Sequence, residues 1–491
     1  MTTAAELFEA SAPLSAEAHL VGSGAGSLLL VPDGSRVYDV DGETAAALDR
    51  ARRSGGAGEI AELLRKLGLD APRYVDDTPP RSPPVRALSL AVAQKCNLGC
   101  TYCYAQQGGF GGPAKQMPDR TALAAVDLLF AEVGAGERVN LSFLGGEPLL
   151  NRATIHAATK RALALASERE ATVSFSITTN GTQLTSGDAD FFEAHGFAVT
   201  VSLDGVGATN DALRPFRSGR GSFDTVMRRV APLLERQRRM QVSARVTVTP
   251  RNLALRATLD EFVALGFHSV GFSPLLRSPS GREEMGHSEL EVMLEGMVDC
   301  GEEFERRVIA GERYPFANMV NALREIHRGT HRPYPCGAGA GYLGVSAEGE
   351  LAACHRFVGD EDGAMGDLSG GVDRERQARW LEDRHVHRQD PCRECWARYM
   401  CGGGCHHEVI RRGRPACDYI RGWLHHCIGA YGRLLVSRPD YLTGAPTLGA
   451  PASDAPTAGV PTSGAAASGA PVSGASTSEA SPSGALTSSA R

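Results

Sequence analysis

Leu88-Ser89-Leu90-Ala91-Val92 is followed, three residues on, by Cys96-Asn97-Leu98-Gly99-Cys100-Thr101-Tyr102-Cys103-Tyr104. The first stretch is short, apolar and bounded by polar residues, which predicts a buried strand. The second carries three thiols with three and then two residues between them. Thiolates at this spacing can bind three irons of a 4Fe–4S cube and leave the fourth iron open. Catalytic metal sites keep such a position for a substrate or cofactor. The loop follows the C-terminal end of its strand, where barrel enzymes place their active sites. Zinc is the competing reading, because bare Cys pairs recur in zinc proteins.

Outward from this loop, strand patterns recur at Val139–Leu144, Thr172–Thr178, Ala198–Leu203, Val242–Thr247 and Ser269–Ser273. Amphipathic helices such as Asp119–Val133, Thr154–Ser167 and Phe223–Arg238 lie between them. Strands alternating with helices imply parallel βαβ units, hence an α/β fold: a partial (β/α)6 TIM-like barrel over residues 86–320. Residues 1–80 read as a small N-terminal α+β unit. Its strands Gly26–Val31 and Arg36–Val40 flank the turn Pro32-Asp33-Gly34, and helices over Glu43–Arg52 and Glu59–Leu67 follow. Pro79-Pro80-Arg81-Ser82-Pro83-Pro84 closes it as a linker. Residues 333–435 are rich in Cys and Gly with little periodicity, so a small apolar core held together by metal is expected there. Residues 444–491 are almost wholly Ala, Pro, Ser, Thr and Gly, a composition that predicts disorder.

Among 491 residues, a net charge of −6 removes the electrostatic reason to expect nucleic acid as a partner. No apolar run reaches the roughly 18–20 residues of a membrane span. Met1–Pro13 lacks the basic and apolar parts of a secretory signal. None of the twelve cysteines precedes Cys96, and eight lie between Cys336 and Cys427. Such clustering fits metal ligands in a reducing, cytoplasmic setting better than a disulfide framework.

Three further motifs share the placement of the cysteine loop, each at the end of a strand. They are Gly145-Gly146-Glu147-Pro148, Thr179-Asn180-Gly181 and Ser202-Leu203-Asp204-Gly205, followed by Asn210-Asp211, Arg214, Gly219 and Gly221-Ser222-Phe223-Asp224. Over residues 86–290 this order resembles the radical S-adenosylmethionine (SAM) superfamily, whose members cleave SAM reductively and abstract hydrogen from a substrate. The resemblance implies a cluster on Cys96, Cys100 and Cys103, with the SAM amino group received by the Gly145–Pro148 loop and Glu147. It also implies that Asn180 faces the ribose or sulfonium, that Ser202 contacts the cofactor, and that Arg245 meets the methionine carboxylate. An electron carrier or cluster-dependent sensor needs none of these motifs.

Cys392-x2-Cys395-x5-Cys401-x3-Cys405, preceded by Cys336 and Gly349-x4-Cys354, resembles the SPASM extension of peptide-modifying radical enzymes. That resemblance implies two auxiliary 4Fe–4S clusters, three in all. Cys336, Cys354 and Cys405 serve one, and Cys392, Cys395 and Cys401 the other. Cys417 and Cys427 complete the set in an unspecified order, or one cube keeps an open iron. Cys300 reads as an ordinary buried thiol.

The segment Cys395–His407 is similar to maturases that form thioether links in Cys-containing peptides or in quinohemoprotein amine dehydrogenase. The implied substrate is a precursor peptide or small protein, the implied product a thioether, and the implied electron donor a flavodoxin or ferredoxin. The N-terminal unit resembles modules that capture a peptide by strand addition. The chief rival is an anaerobic sulfatase maturase forming formylglycine; carbon–carbon or carbon–oxygen crosslinking ranks lower. Sulfatase maturases place an Asp base after the Cys corresponding to Cys354, whereas this chain has His355, here the candidate general base.

Overall fold

The computed structural model describes residues 3–11, 18–22, 26–32, 36–54, 57–69, 78–329 and 331–443. The expected turn at Asp33-Gly34 and the tail 444–491 lie outside the described residues. Strands β1 (His19–Gly22), β2 (Ser27–Val31) and β3 (Arg36–Val40) form an antiparallel sheet in that order. The remaining strands share one sheet: β4 (Ala87–Gln94), β5 (Lys115–Gln116), β6 (Arg138–Gly145), β7 (Thr172–Thr179), β8 (Ala198–Ser202), β9 (Gln241–Val248), β10 (Ser269–Pro274), β11 (Tyr342–Val345), β12 (Glu350–Ala352), β13 (Ala364–Asp367) and β14 (Gly371–Val372).

The order β10-β9-β8-β7-β6-β4 is all parallel, and each strand lies beside its predecessor in the chain. Crossover helices such as Asp119–Phe130, Arg152–Glu168 and Phe223–Arg236 connect successive strands. One-directional winding of this kind is what right-handed βαβ crossovers produce, and it gives the six-stranded partial barrel read from the sequence.

Period-two alternation sorts the strand residues between two environments. Leu88, Leu90, Val139, Leu141, Phe175, Val199 and Val242 are buried in the apolar core shared with the helices. The opposite face carries Ser89, Asn140, Ser142, Ser176, Thr178 and Ser243. Ser142 Oγ lies 2.7 Å from Ser176 Oγ, and the Asn140 amide donates to Ser174 Oγ at 3.0 Å. Short polar side chains leave the barrel interior open, unlike the branched fillers of a closed TIM barrel.

Beyond the barrel, β11 pairs parallel with β4, and β12, β13 and β14 continue antiparallel. The expected small core in this region is not what forms. Leu343, Val345, Phe357, Trp380, Trp396 and Ile428 belong to the barrel's own core. A 21-residue helix, Cys417–Ser437, packs on the helices His287–Ile309 and Ala317–Arg328. This apolar burial comes from the barrel edge, which local periodicity does not reveal.

The N-terminal unit has a small core of its own around Leu29, Leu48, Ile60 and Leu64. It is also joined to the rest. Ala4, Leu7, Val21 and Leu30 enter the main core, the helix Ala4–Ala10 packs on Cys417–Ser437, and the Trp396 indole donates to the Ser11 carbonyl at 2.9 Å.

Candidate functional site

The loop Cys96–Cys103 leaves β4 at the barrel mouth, and the ends of β6, β7 and β8 close around it. Gly145 has φ of 148°, and a Cβ there would stand 2.3 Å from the Ala93 carbonyl oxygen. A Cβ on Gly146 would meet the Lys95 carbonyl oxygen at 2.5 Å. Glycine is required at both because backbone lies against backbone. Pro148 opens a short 3-10 turn and is buried.

The Glu147 side chain is enclosed. Its carboxylate accepts from Thr179 Oγ1 at 2.7 Å, the Asn180 amide at 2.7 Å and the Leu149 amide at 3.1 Å, at 0% exposure. Burial raises its pKa, and these donors pull it back. Glu147 therefore locks the β6 and β7 loops together, and the structure does not present its carboxylate to a ligand. Asn180 donates through Nδ2 to Cys96 Sγ at 3.5 Å and to Asn97 Oδ1 at 3.0 Å, so it braces the first thiol.

Ser202 is in register with Arg245 on β9. The Arg245 guanidinium donates to Ser273 Oγ. It is accessible only to the barrel cavities, where enclosure by protein lowers its pKa and no carboxylate offsets the effect. A desolvated cation with one hydroxyl partner is a ready acceptor for an anion.

The cysteines fall into three groups plus two outliers. Cys96, Cys100 and Cys103 are near enough for their charges to act on one another, as are Cys336, Cys354 and Cys405. Cys392, Cys395, Cys401 and Cys417 make the third group. Cys417 thus joins the second auxiliary set. Cys427 joins neither: it is fully buried in the helix Cys417–Ser437, with its thiol 3.7 Å from Met319 Sδ. Its position on an inward-facing turn of that helix removes it from the expected ligands. Cys300 is buried in the core, as read.

Burial pushes the Cys100 and Cys354 thiols up to about 12 and those of Cys336 and Cys392 up to about 11. Metal coordination reverses such a penalty by deprotonating the sulfur outright. Arginines accompany each group: Arg214 acts on Cys100, Arg414 on Cys392, and Arg356 donates to Cys405 Sγ at 3.6 Å and to Glu408 at 2.8 Å. Among the described residues, no three His, Cys, Asp or Glu side chains converge on a point as a single ion requires. Wider thiol groups facing cations fit anionic clusters.

A cavity of about 590 Å³ joins these parts. Its wall includes Tyr102 and Tyr104 of the first loop, Arg245, His355, Cys405 and Cys417. His355 Nδ1 lies 2.8 Å from the Tyr342 hydroxyl, which is itself 2.8 Å from Ser89 Oγ. Burial lowers the His355 pKa to about 4, so the ring is neutral near pH 7. Tyr342 carries no sequence signal of its own, since it becomes part of the site only through the pairing of β11 with β4. Arg356, over the Tyr104 ring at 5.5 Å, escaped notice for the same reason.

Residues 90–261 match the model of the radical SAM superfamily. The serine-type anaerobic sulfatase-maturating enzyme of Klebsiella aerogenes is 28% identical to this chain, across 70% of it and 85% of that protein. The solved structure of native anSMEcpe with bound AdoMet and Cp18Cys peptide has the same fold, with a TM-score of 0.58 at 18% identity over 73% of this chain and 100% of that one. The histidine-tagged form of anSMEcpe with bound AdoMet reaches 0.60 at 18% identity, over 74% of this chain and 97% of that one. With its motifs gathered at the mouth of a parallel partial barrel, this chain belongs to the radical SAM superfamily of enzymes, which use a 4Fe–4S cluster and SAM.

Proposed function

We propose that this chain is a maturase that oxidises a residue of a peptide or protein. In this reading Cys96, Cys100 and Cys103 hold the SAM-binding cluster, and the other two cysteine groups hold auxiliary clusters. The bound cofactors supply a 5′-deoxyadenosyl radical, which takes a hydrogen atom from the substrate. Arg245 and Ser202 orient the methionyl end of SAM, and Asn180 braces the cluster loop on the ribose side. The observation that carries the proposal is the shared cavity. One wall presents the first cysteine loop and another presents both remaining groups, so a side chain held between them can lose a hydrogen atom at one and an electron at the other.

Two products satisfy that balance, each removing two hydrogens in all. Similarity to the sulfatase-maturating enzymes favours oxidation of a Ser or Cys side chain to an aldehyde, and this reading has the broader support. The thioether reading rests on ligand number. With Cys427 in the core, the group Cys336, Cys354 and Cys405 supplies three thiols. Its fourth position is left for a substrate thiolate beside His355 in the cavity. In either case His355, held by Tyr342, is the nearest candidate to take the proton. The free edge of β3 suits a precursor peptide as an added strand, and a flavodoxin or ferredoxin would supply the electrons.

The deciding experiment pairs reduced, reconstituted enzyme and SAM with a sulfatase and, separately, with Cys-containing peptides encoded beside its gene. A mass loss of about 2 Da with a hydrazine-reactive aldehyde establishes the first product. The same loss with a Cys that no longer alkylates establishes the second. Production of 5′-deoxyadenosine without modification of either substrate class would refute both.

A further inference from the structure

Behind the first cysteine loop lies a buried polar triad that none of the assignments above uses. Tyr102, between Cys100 and Cys103, directs its hydroxyl to Asp204 Oδ2. Arg214 donates to the same Tyr102 oxygen at 2.7 Å and reaches Asp204 Oδ2 at 3.4 Å. The three are 7%, 9% and 0% exposed for Tyr102, Arg214 and Asp204. Asp204 is also tied to the barrel: Oδ1 accepts from the Thr247 amide at 2.8 Å, its own amide donates to Asn210 Oδ1 at 3.1 Å, and its carbonyl accepts from Asn252 at 3.1 Å.

A buried ion pair is a weak source of stability, because desolvation offsets the attraction, so its presence calls for another explanation. Orientation supplies one. Of the two charges, the guanidinium acts more strongly on Cys100 than the carboxylate does, so the pair is a dipole with its positive end toward the thiol. Cys100 packs in a small apolar cluster with Tyr102, Leu213 and Leu275, which keeps water from screening that field.

We infer that Tyr102, Asp204 and Arg214 are positioning residues that fix the Cys96–Cys103 loop against the barrel and turn a cation toward Cys100, easing one-electron reduction of the cluster. This rests on the reading that Cys96, Cys100 and Cys103 hold the SAM-binding cluster. In reduction the cluster accepts one electron from an external one-electron reductant. The added negative charge is stabilised by the facing guanidinium and destabilised by the carboxylate behind it. The two partners must therefore shift the equilibrium in opposite directions.

The test is an EPR-monitored redox titration of the full-length reconstituted holoenzyme, reading the signal that changes on addition of SAM. In Arg214→Gln the equilibrium for reduction should fall about tenfold, a midpoint lower by ~59 mV, and Arg214→Lys should recover most of the shift. In Asp204→Asn the midpoint should rise. Tyr102→Phe retains both charges, so it should leave the midpoint in place while raising the KM for SAM through a looser loop. Should Arg214→Gln fail to fold, the rise in Asp204→Asn decides by itself. Unmoved midpoints, or shifts of Arg214→Gln and Asp204→Asn in the same direction, overturn the inference while leaving the cluster assignment intact. Persistence of the SAM-responsive signal when Cys96, Cys100 and Cys103 are all replaced by Ala overturns that assignment and the inference with it.

Discussion

Cys417 and Cys427 are ten residues apart on one helix and chemically alike, yet they face different surroundings. Cys417 opens the helix beside Cys392, Cys395 and Cys401, whereas Cys427 lies inside the core against Met319. In reconstituted protein, Cys427→Ala should leave iron and sulfide unchanged and cost ~1–2 kcal/mol by denaturant unfolding, as a small cavity does. Cys417→Ala should lose about a third of the iron if each group holds one cube. Glu147 makes a similar point. With three donors on a carboxylate of 0% exposure, Glu147→Gln turns one acceptor toward the Asn180 amide into a competing donor. A loss of ~1–3 kcal/mol is expected, accompanied by a weaker SAM affinity as the β6 and β7 loops separate. A variant of wild-type stability with only its SAM affinity reduced would restore Glu147 to direct cofactor contact.

At the scale of elements, the N-terminal sheet is clamped to the segments that carry the third cysteine group. The His19 ring of β1 stacks on Trp396 at 3.7 Å and 3°, and its Nε2 lies 2.9 Å from His425 Nδ1. Trp396 follows Cys395 directly, and His425 shares its helix with Cys417. His19→Ala removes the stack and the His425 contact from a site only 1% exposed. It should destabilise docking of the unit by ~1–3 kcal/mol, read as faster hydrogen exchange over residues 19–22 and 423–428. His19→Phe keeps the stack and should recover part of the protection. Unchanged exchange in His19→Ala would mean that the clamp contributes nothing.

For the molecule as a whole, the decisive property is an open interior. Ser89, Asn140, Ser142 and Ser176 surround a cavity of about 260 Å³ that also touches Cys336 and His355. Ser142→Leu would fill part of it from a strand position far from the cysteine loop. Cleavage of SAM in the absence of substrate should continue, while modified peptide should fall by tenfold or more, ~1.4 kcal/mol of lost productive binding. Quantifying 5′-deoxyadenosine and peptide product side by side checks this. Parallel loss of both would show that the substitution had damaged the barrel instead.

Much of this was legible in the chain. The six barrel strands lie within a residue or two of where alternation puts them, and the motif loops follow strand ends, because period-two burial and glycine-requiring turns are local properties. The identity of the chemistry was legible too, since it depends on closely spaced thiols within one loop. Contacts across distant segments decided the rest. Which cysteines stand together, where Cys427 points, how Tyr342 comes to hold His355, and how Tyr102, Asp204 and Arg214 meet all depend on pairing β11 with β4 and on packing one long helix against the barrel. Local sequence sets which residues are available and which face of an element is apolar. Only the closed tertiary structure determines which donors share a low-dielectric space, and there charge, ligand number and accessibility decide function.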